Sequence, residues 1–198
     1  MRKLMLVFAV IGLTIVLAVP FFVAPVLVAP ALATPVLATV DPVQLGKAVT
    51  EIEFLDQMRS GLASGLEDTP EEPTIATFME VCAPVGQQAA TIAQENGWQV
   101  RQVALKYRNP AHKPQDAVEV EALAQLAEHP NLKAFWQQEN DGVHYFRRIN
   151  IEASCLACHG AKNQRPAFIQ DKYPEDLAYD FQVGDLRGLY EVIIPALQ

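Results

Sequence analysis

Apolar residues recur every three or four positions in the chain that follows residue 40. Asp41 followed by Pro42 is typical of a helix start, with Asp41 as N-cap and Gln44 completing a capping box. The apolar stripe that follows predicts one amphipathic helix. The acidic, proline-bounded segment 67–73 then predicts a loop. The stripe consists of Leu45, Val49, Ile52, Leu55, Met58 and Leu62.

A second helical segment is predicted from about residue 74 to residue 96, with Gly97 as its stop signal. Pro84 interrupts this segment and predicts a kink or a split into two helices. Cys82 lies just before the break, four positions after Phe78 and on the same side of the helix. A side chain beside a kink can face something other than a neighbouring helix. A small buried hydrophobe is the plainer interpretation of Cys82.

The hydrophobic period changes to two after residue 98. Apolar and polar residues alternate over residues 103–108, which predicts a half-buried strand. The segment 109–114 contains two prolines and predicts a loop. Asp116 and Glu119 predict a capped helix that ends at Pro130.

A hairpin is predicted from two apolar runs, residues 132–138 and residues 143–151. Asp141 and Gly142 lie between them and favour the positive φ angles of a tight turn. Residues 189–194 predict an apolar final strand. Helices mixed with an antiparallel sheet give the α+β class. One face of the second hairpin strand carries Val143, Tyr145, Arg147, Ile149 and Ile151, and the other face carries His144, Phe146, Arg148 and Asn150.

The first 38 residues are typical of a signal peptide. A short basic segment precedes an uninterrupted apolar run over residues 4–19, and small residues favour cleavage after Ala33 or Ala38. The run is shorter than the ~20 residues that span a bilayer. We therefore expect export to the periplasm or an equivalent lumen, with residues 39–198 as the mature domain. An uncleaved leader that anchors the chain to the membrane is the alternative.

The chain is acidic. Its 198 residues include 15 Lys and Arg against 23 Asp and Glu, for a formal net charge of −8. The predicted leader contains Arg2 and Lys3 and no acid, so the mature charge is 13 against 23, or −10. This balance argues against nucleic-acid binding and against stable association with a membrane after removal of the leader. No nucleophile-and-base arrangement or phosphate-binding glycine loop is evident, so we do not expect an enzyme.

The strongest chemical signal is the Cys-x-x-Cys-His motif at residues 155–159. Two thiols three positions apart can add to the two vinyl groups of a porphyrin, and the adjacent His can supply an axial nitrogen. A redox dithiol and half of a zinc site are the alternatives, but neither explains the adjoining His. The motif predicts one covalent haem c held by Cys155, Cys158 and His159. It leaves Cys82 as an unpaired third cysteine.

Five segments are distinctive in combination. They are Glu-Val-Cys-Ala-Pro at 80–84, Val-Ala-Leu-Lys-Tyr-Arg-Asn-Pro at 103–110, the motif at 155–159, Tyr-Pro-Glu-Asp at 173–176 and Gly-Asp-Leu-Arg-Gly at 184–188. On these segments nearly the whole mature region resembles the cyanobacterial single-haem c-type proteins with a PAS-like sensor fold. That domain also occurs as the sensing part of bacterial signalling proteins. The resemblance implies a five-stranded antiparallel PAS-like sheet with long N-terminal helices, and iron ligation by His159 and Cys82.

Other residues compete with Cys82 for the second axial position. A methionine would give the His/Met pair of high-potential carriers, and a second histidine would give a bis-His site. His144 is the runner-up because it lies on a predicted strand close to the motif. His112 and His129 adjoin prolines in polar loops and are expected to be solvated. The full set of competitors is Met58, Met79, His112, His129 and His144.

The haem propionates would need cationic or hydrogen-bonding neighbours. Four residues that flank the motif are candidates, although ordinary surface charge is the plainer interpretation of each. They are Arg147, Arg148, Lys162 and Arg165.

Three functions fit the sequence. The first is a redox or small-ligand sensor module with a low-potential His/Cys haem, which would act on an unidentified redox or signalling protein. The second is a soluble one-electron carrier with an acidic docking surface. The third is a non-haem binding module in which Cys155 and Cys158 form a dithiol.

Overall fold

The computed structural model describes residues 41–67 and 71–196. They form a four-stranded antiparallel sheet that is packed between helices. The strand order is β1-β4-β3-β2. The α+β class with an antiparallel sheet and N-terminal helices is confirmed, although the resemblance implied five strands and the described residues form four. The predicted leader and its cleavage sites lie outside the described residues. The elements in chain order are α1 (Pro42–Ser64), α2 (Ile75–Val81), α3 (Ala83–Asn96), β1 (Gln99–Val103), α4 (Ala117–Glu128), β2 (Ala134–Gln138), β3 (Gly142–Asn150), α5 (Leu156–His159), α6 (Ala167–Lys172) and β4 (Leu186–Pro195).

Helix α1 begins where the sequence predicts. The Asp41 carboxylate accepts a hydrogen bond from the backbone N–H of Val43 at 2.9 Å, which satisfies a donor of the first turn. The buried face of α1 includes Ala48, Ile52 and Leu55. Val49 was predicted to belong to this face and is 37% exposed, because Ala48 occupies the position one turn before Ile52. None of the helices in the described ranges is long and apolar enough to cross a bilayer.

The predicted interruption at Pro84 separates α2 from α3. Thr74 caps α2 through reciprocal hydrogen bonds with Thr77, and α3 has Pro84 in its first turn, where the missing N–H costs nothing. Cys82 is the single residue between the two helices. Gly97 ends α3 with a φ of 68°, as predicted.

The strand predicted over residues 103–108 is displaced. Strand β1 ends at Val103, and the following residues leave the sheet. Tyr107 accepts a hydrogen bond from the Leu177 N–H at 2.9 Å, and Lys106 donates to the Tyr179 carbonyl. Leu105 is 61% exposed. Residues after Val103 therefore form hydrogen bonds with a distant loop and do not continue the strand.

The predicted hairpin is formed by β2 and β3. Glu139 and Gly142 exchange backbone hydrogen bonds across the turn. We predicted positive φ angles at both Asp141 and Gly142, and only Gly142 has one, of 153°. A Cβ atom on Gly142 would lie 2.0 Å from the Ile194 carbonyl oxygen. Close approach to β4 therefore requires glycine at this position.

The two faces of β3 pack on different helices, as the alternation predicts. Val143, Tyr145 and Ile149 belong to the core formed with α1 and α3. Phe146 belongs to a second core, with residues of α4 such as Leu126. Full burial of a large apolar side chain stabilises the fold by roughly 1.5–3 kcal/mol. The two cores therefore fix the helices on the sheet and leave the 153–159 segment beyond the end of β3.

We expect Gly142→Ala to lower the free energy of unfolding by more than about 2 kcal/mol, because the new methyl group meets the β4 backbone at a strained φ. Gly46→Ala is the matched control, since a Cβ there meets nothing within 4 Å. It lies in α1, where alanine is favoured by roughly 0.5–1 kcal/mol. Urea denaturation measures both changes. Equal midpoints for Gly142→Ala and wild type would contradict the close approach.

Candidate haem site

A cavity of about 510 Å³ is lined by residues of α1, α2, α3, β1, β3 and β4 and of the segments that follow β1 and β3. Its volume lies within the roughly 300–1,000 Å³ of typical cofactor sites. All four predicted site residues line it: Cys82, Cys155, Cys158 and His159. The fold therefore brings the unpaired cysteine of the N-terminal helices to the same cavity as the Cys-x-x-Cys-His motif.

The motif itself forms two short helical turns. Ala153–Cys155 is a 3-10 helix, and α5 follows without a gap. Residues three and four positions apart lie on one side of a helix, so this turn brings the two thiols and the imidazole to one side. Glu152 precedes the motif and is held to α1 through Arg59 Nη2 at 2.7 Å and the Ser60 hydroxyl.

His159 is held in one tautomer by the loop before β4. Its Nδ1 lies 2.8 Å from the Ala178 carbonyl oxygen, so Nδ1 donates and Nε2 keeps its lone pair. Burial lowers the pKa of His159 well below its usual value, and the nearby cations Arg187, Arg108 and Lys106 act in the same direction. A neutral imidazole with one free nitrogen is the form that binds a metal.

A buried carboxylate positions that loop. Asp176 has a fully buried side chain and pairs with Arg108 at 3.3 Å and with Arg165 at 3.0 Å. It also accepts the Ala178 N–H at 2.9 Å. Arg108 in turn donates to the Cys158 carbonyl at 2.7 Å. The distinctive segments around residues 108 and 176 therefore support the motif, a role that we did not predict from the sequence.

Cys82 is exposed because it lines an open cavity. Burial by the surrounding protein raises the pKa of its thiol, and the charges of Arg108, Arg187 and Arg59 oppose that rise. The same wall includes Phe78 of α2 and apolar residues of α3. Burial favours the protonated thiol of Cys82, whereas the arginine charges favour the thiolate, which is the form that binds a metal.

The competing axial ligands lie elsewhere, with one exception. His144 does not line the cavity, and both of its ring nitrogens lie 2.9 Å from carboxylates. Met79 is 54% exposed, and neither it, Met58 nor His129 is part of the lining. His112 does line the cavity, and burial lowers its pKa. We expected His112 to be solvated. Instead, the 3-10 helix Pro110–His112 packs beside β1, and the Ala104 N–H just after that strand donates to the His112 carbonyl.

The predicted propionate-binding residues do not line the cavity either. Arg147 pairs with Glu53 and Asp56 of α1, and Arg148 donates to carbonyls at the end of α4. Arg165 pairs with Asp176, and Lys162 lies over the Tyr179 ring. Four other arginines are among the residues that line it: Arg59, Arg101, Arg108 and Arg187.

Arg187 differs from the other three arginines of the lining. Arg59, Arg101 and Arg108 each form an ion pair with a carboxylate, whereas none of the described carboxylates forms one with Arg187. It donates one hydrogen bond, to the Lys106 carbonyl at 3.1 Å. Burial lowers its pKa to about 10. Most donors of this guanidinium are therefore available to an anionic group in the cavity.

The fold and the cavity together define an α+β protein with a Cys-x-x-Cys-His motif and a third cysteine in a cofactor-sized cavity. The family model described as Tll0287-like matches residues 38–195, and the chain belongs to this family. A solved structure, the crystal structure of the cyanobacterial heme-protein Tll0287, is 65% identical with a TM-score of 0.75. The match covers 80% of this chain and 99% of that one. No match was found among the curated proteins. The predicted resemblance to cyanobacterial haem proteins is confirmed.

We expect Asp176→Asn to lower the free energy of unfolding by about 3 kcal/mol, because it leaves the buried Arg108 and Arg165 without their shared counter-charge. Asp171→Asn is the control, since that carboxylate is exposed on α6, and we expect a change within about 0.5 kcal/mol. Urea denaturation compares the variants at equal cofactor loading. Equal stability of the two variants would contradict the structural role of Asp176.

Proposed function

We propose that this chain is an exported cyanobacterial c-type haem protein that serves as a redox or small-ligand sensor module and not as an enzyme. In this proposal Cys155 and Cys158 hold one haem covalently, and His159 and Cys82 are the axial ligands. The observation that carries it is the presence of all four side chains on one cavity. The name of the 65% identical solved relative, a cyanobacterial heme-protein, supports the proposal.

The residues of the cavity fit a haem. The apolar side chains of α2 and α3 suit a porphyrin face, and the helical spacing of the motif brings both thiols to the same side as the imidazole. The two propionates of a haem are carboxylates. Arg187 has no carboxylate partner among the described residues, and a guanidinium buried without a counter-ion is costly. We infer that Arg187 binds a propionate.

The ligand chemistry follows from the two side chains. A bound haem iron supplies a one-electron couple, and a thiolate ligand favours the ferric state, which gives a low potential. His159 is fixed by its hydrogen bond to Ala178. Cys82 makes no comparable side-chain hydrogen bond with the residues that the structure describes, and burial raises its pKa, which favours the protonated thiol. Cys82 is therefore the ligand that can leave when the iron is reduced.

The position of Cys82 favours a sensor over a plain electron carrier. Cys82 joins α2 to α3, and α2 has no buried residue along its seven-residue length. Its contacts with the rest of the protein are limited, as in the Phe78–Phe168 pair with centroids 6.4 Å apart. Segments with few buried contacts are the ones that move at low cost. Release of Cys82 would move α2 and signal to a separate redox or signalling protein.

The proposed location rests on the leader. A signal peptide over residues 1–38 would deliver the chain to the periplasm or the thylakoid lumen, where covalent c-type haem is expected. A leader that stays attached would anchor the same domain at the membrane.

We expect the protein, produced in a host that attaches haem c, to carry a mass increase of one haem that survives denaturation. The double variant Cys155→Ala/Cys158→Ala should lose it, because no thioether can form. Cys82→Ala should retain it. The denatured pyridine haemochrome spectrum is the measurement. Wild-type protein without haem would refute the proposal and favour the dithiol module.

We expect Cys82→Ala to change the optical and EPR spectra of the ferric protein and to raise its midpoint potential, because a thiolate ligand is lost. His144→Gln should leave the ferric spectra unchanged. The reduced wild-type protein should bind carbon monoxide if Cys82 leaves on reduction. An unchanged low-spin spectrum in Cys82→Ala would exclude Cys82 as the ligand.

A further inference from the structure

The Arg108 side chain is hydrogen-bonded to both sides of the candidate axial histidine. Its Nη2 donates to the Cys158 carbonyl at 2.7 Å and to the Ala178 carbonyl at 3.3 Å. The Ala178 carbonyl also accepts the His159 Nδ1–H at 2.8 Å. The guanidinium therefore binds the peptide that precedes His159 and shares a hydrogen-bond acceptor with the His159 ring.

The two nitrogens that share the Ala178 carbonyl compete for it. Arg108 Nη2 and His159 Nδ1 are 3.4 Å apart. Arginine has no acceptor atom, and Nδ1 carries the hydrogen that it donates to the carbonyl, so both nitrogens are donors and no hydrogen bond joins them. A carbonyl oxygen has two lone pairs and can accept from both. Each donor draws electron density from the same oxygen, which weakens the hydrogen bond of the other.

The positive charge of Arg108 is only partly neutralised. Its Nε lies 3.3 Å from Asp176 Oδ1, and the other oxygen of the same carboxylate lies 3.0 Å from Arg165 Nη1. Neither arginine forms an ion pair with another of the described carboxylates, so one negative charge serves two positive charges. The Asp176 side chain is fully buried and that of Arg108 is 11% exposed. Water therefore screens the remaining positive charge weakly.

Asp176 fixes the position of this charge relative to His159. Its Oδ1 accepts the Ala178 N–H at 2.9 Å and also pairs with Arg108 Nε. The same carboxylate thus holds the guanidinium and the residue whose carbonyl binds the imidazole. These contacts are formed by protein atoms alone, so they position Arg108 before any cofactor is bound.

We propose that Arg108 is a positioning residue that raises the midpoint potential of the haem through the Ala178 carbonyl that it shares with His159. The proposal rests on the haem function proposed above. A strong hydrogen bond from Nδ1 makes an axial imidazole a better electron donor, which favours the ferric state. A second donor on the same carbonyl reduces this effect, and a nearby positive charge favours the added electron of the ferrous state. Arg108 therefore opposes the lowering of the potential by a Cys82 thiolate.

The test is the midpoint potential of the haem-loaded protein with and without Arg108. Arg108→Gln removes the charge and most of the donors. We expect it to shift the equilibrium toward the ferric state by up to about tenfold, which is a fall of about 59 mV for one electron. Arg108→Lys keeps the charge but cannot reproduce the fork that reaches Asp176 and both carbonyls, so we expect an intermediate potential. Lys47→Gln is the matched control, because it removes an exposed cation of α1 outside the cavity lining.

A second measurement separates an effect on His159 from a general change of charge. In Cys82→Ala the reduced iron keeps His159 as its ligand, and the resonance Raman spectrum reports the strength of the iron–histidine bond. Addition of Arg108→Gln should raise the iron–histidine stretching frequency, because the Ala178 carbonyl then accepts a stronger hydrogen bond from Nδ1. Addition of Lys47→Gln should leave this frequency unchanged.

The outcomes separate this proposal from the haem proposal. Haem-loaded Arg108→Gln with the potential of Lys47→Gln, or with an unchanged iron–histidine frequency, overturns the role of Arg108 alone. If Arg108→Gln does not retain haem, the potential of Arg108→Lys is decisive, since a value below that of wild type supports the proposal and an equal value overturns it. Wild-type protein that carries no haem overturns both proposals.

Discussion

Arginine–carboxylate pairing across the cavity walls is the interaction on which the site depends. Arg59 joins α1 to Glu152 at the start of the motif, and Arg108 joins the segment after β1 to the buried Asp176. Each pair connects residues that are far apart in the sequence. A buried arginine without its acid would be costly, so the pairs specify one arrangement of the walls. None of the described carboxylates pairs with Arg187, which donates to the Lys106 carbonyl instead.

The two parts of the cavity wall that carry the candidate ligands, the 155–159 motif and the junction of α2 and α3, differ in how many contacts hold them in place. The motif is held by the 176–178 loop, where His159 Nδ1 donates to the Ala178 carbonyl, and by α1, where Arg59 donates to Glu152. Cys82, by contrast, lies between a seven-residue helix with no buried side chain and a helix that starts with a proline turn. A cofactor bound by both would have one rigid ligand and one on an element that moves easily. This asymmetry suits a sensor, since a carrier benefits from ligands that stay in place in both redox states.

Local signals predicted much of this fold, because a cap or a proline acts within a few residues. Asp116 begins α4, and Pro84 divides the second helical segment, as expected. The alternation over residues 103–108 predicted a strand that does not form, since Tyr107 accepts its hydrogen bond from a loop seventy positions away in sequence. His112 and Asp176 were missed for the same reason. Their roles depend on tertiary packing, and their only sequence signal was membership of distinctive segments.

His144 shows how a polar residue on a strand can be misjudged from sequence. Its closeness to the motif along the chain suggested an axial ligand, but strand alternation places it on the α4 face of the sheet, away from the cavity. There it is buried between two acids, and the hydrogen bonds to these acids raise its pKa to about 9 in spite of its burial. The sheet thus separates two groups of residues, with the candidate haem ligands around the cavity and the His144–Glu191 and Arg101–Glu119 pairs on the α4 face.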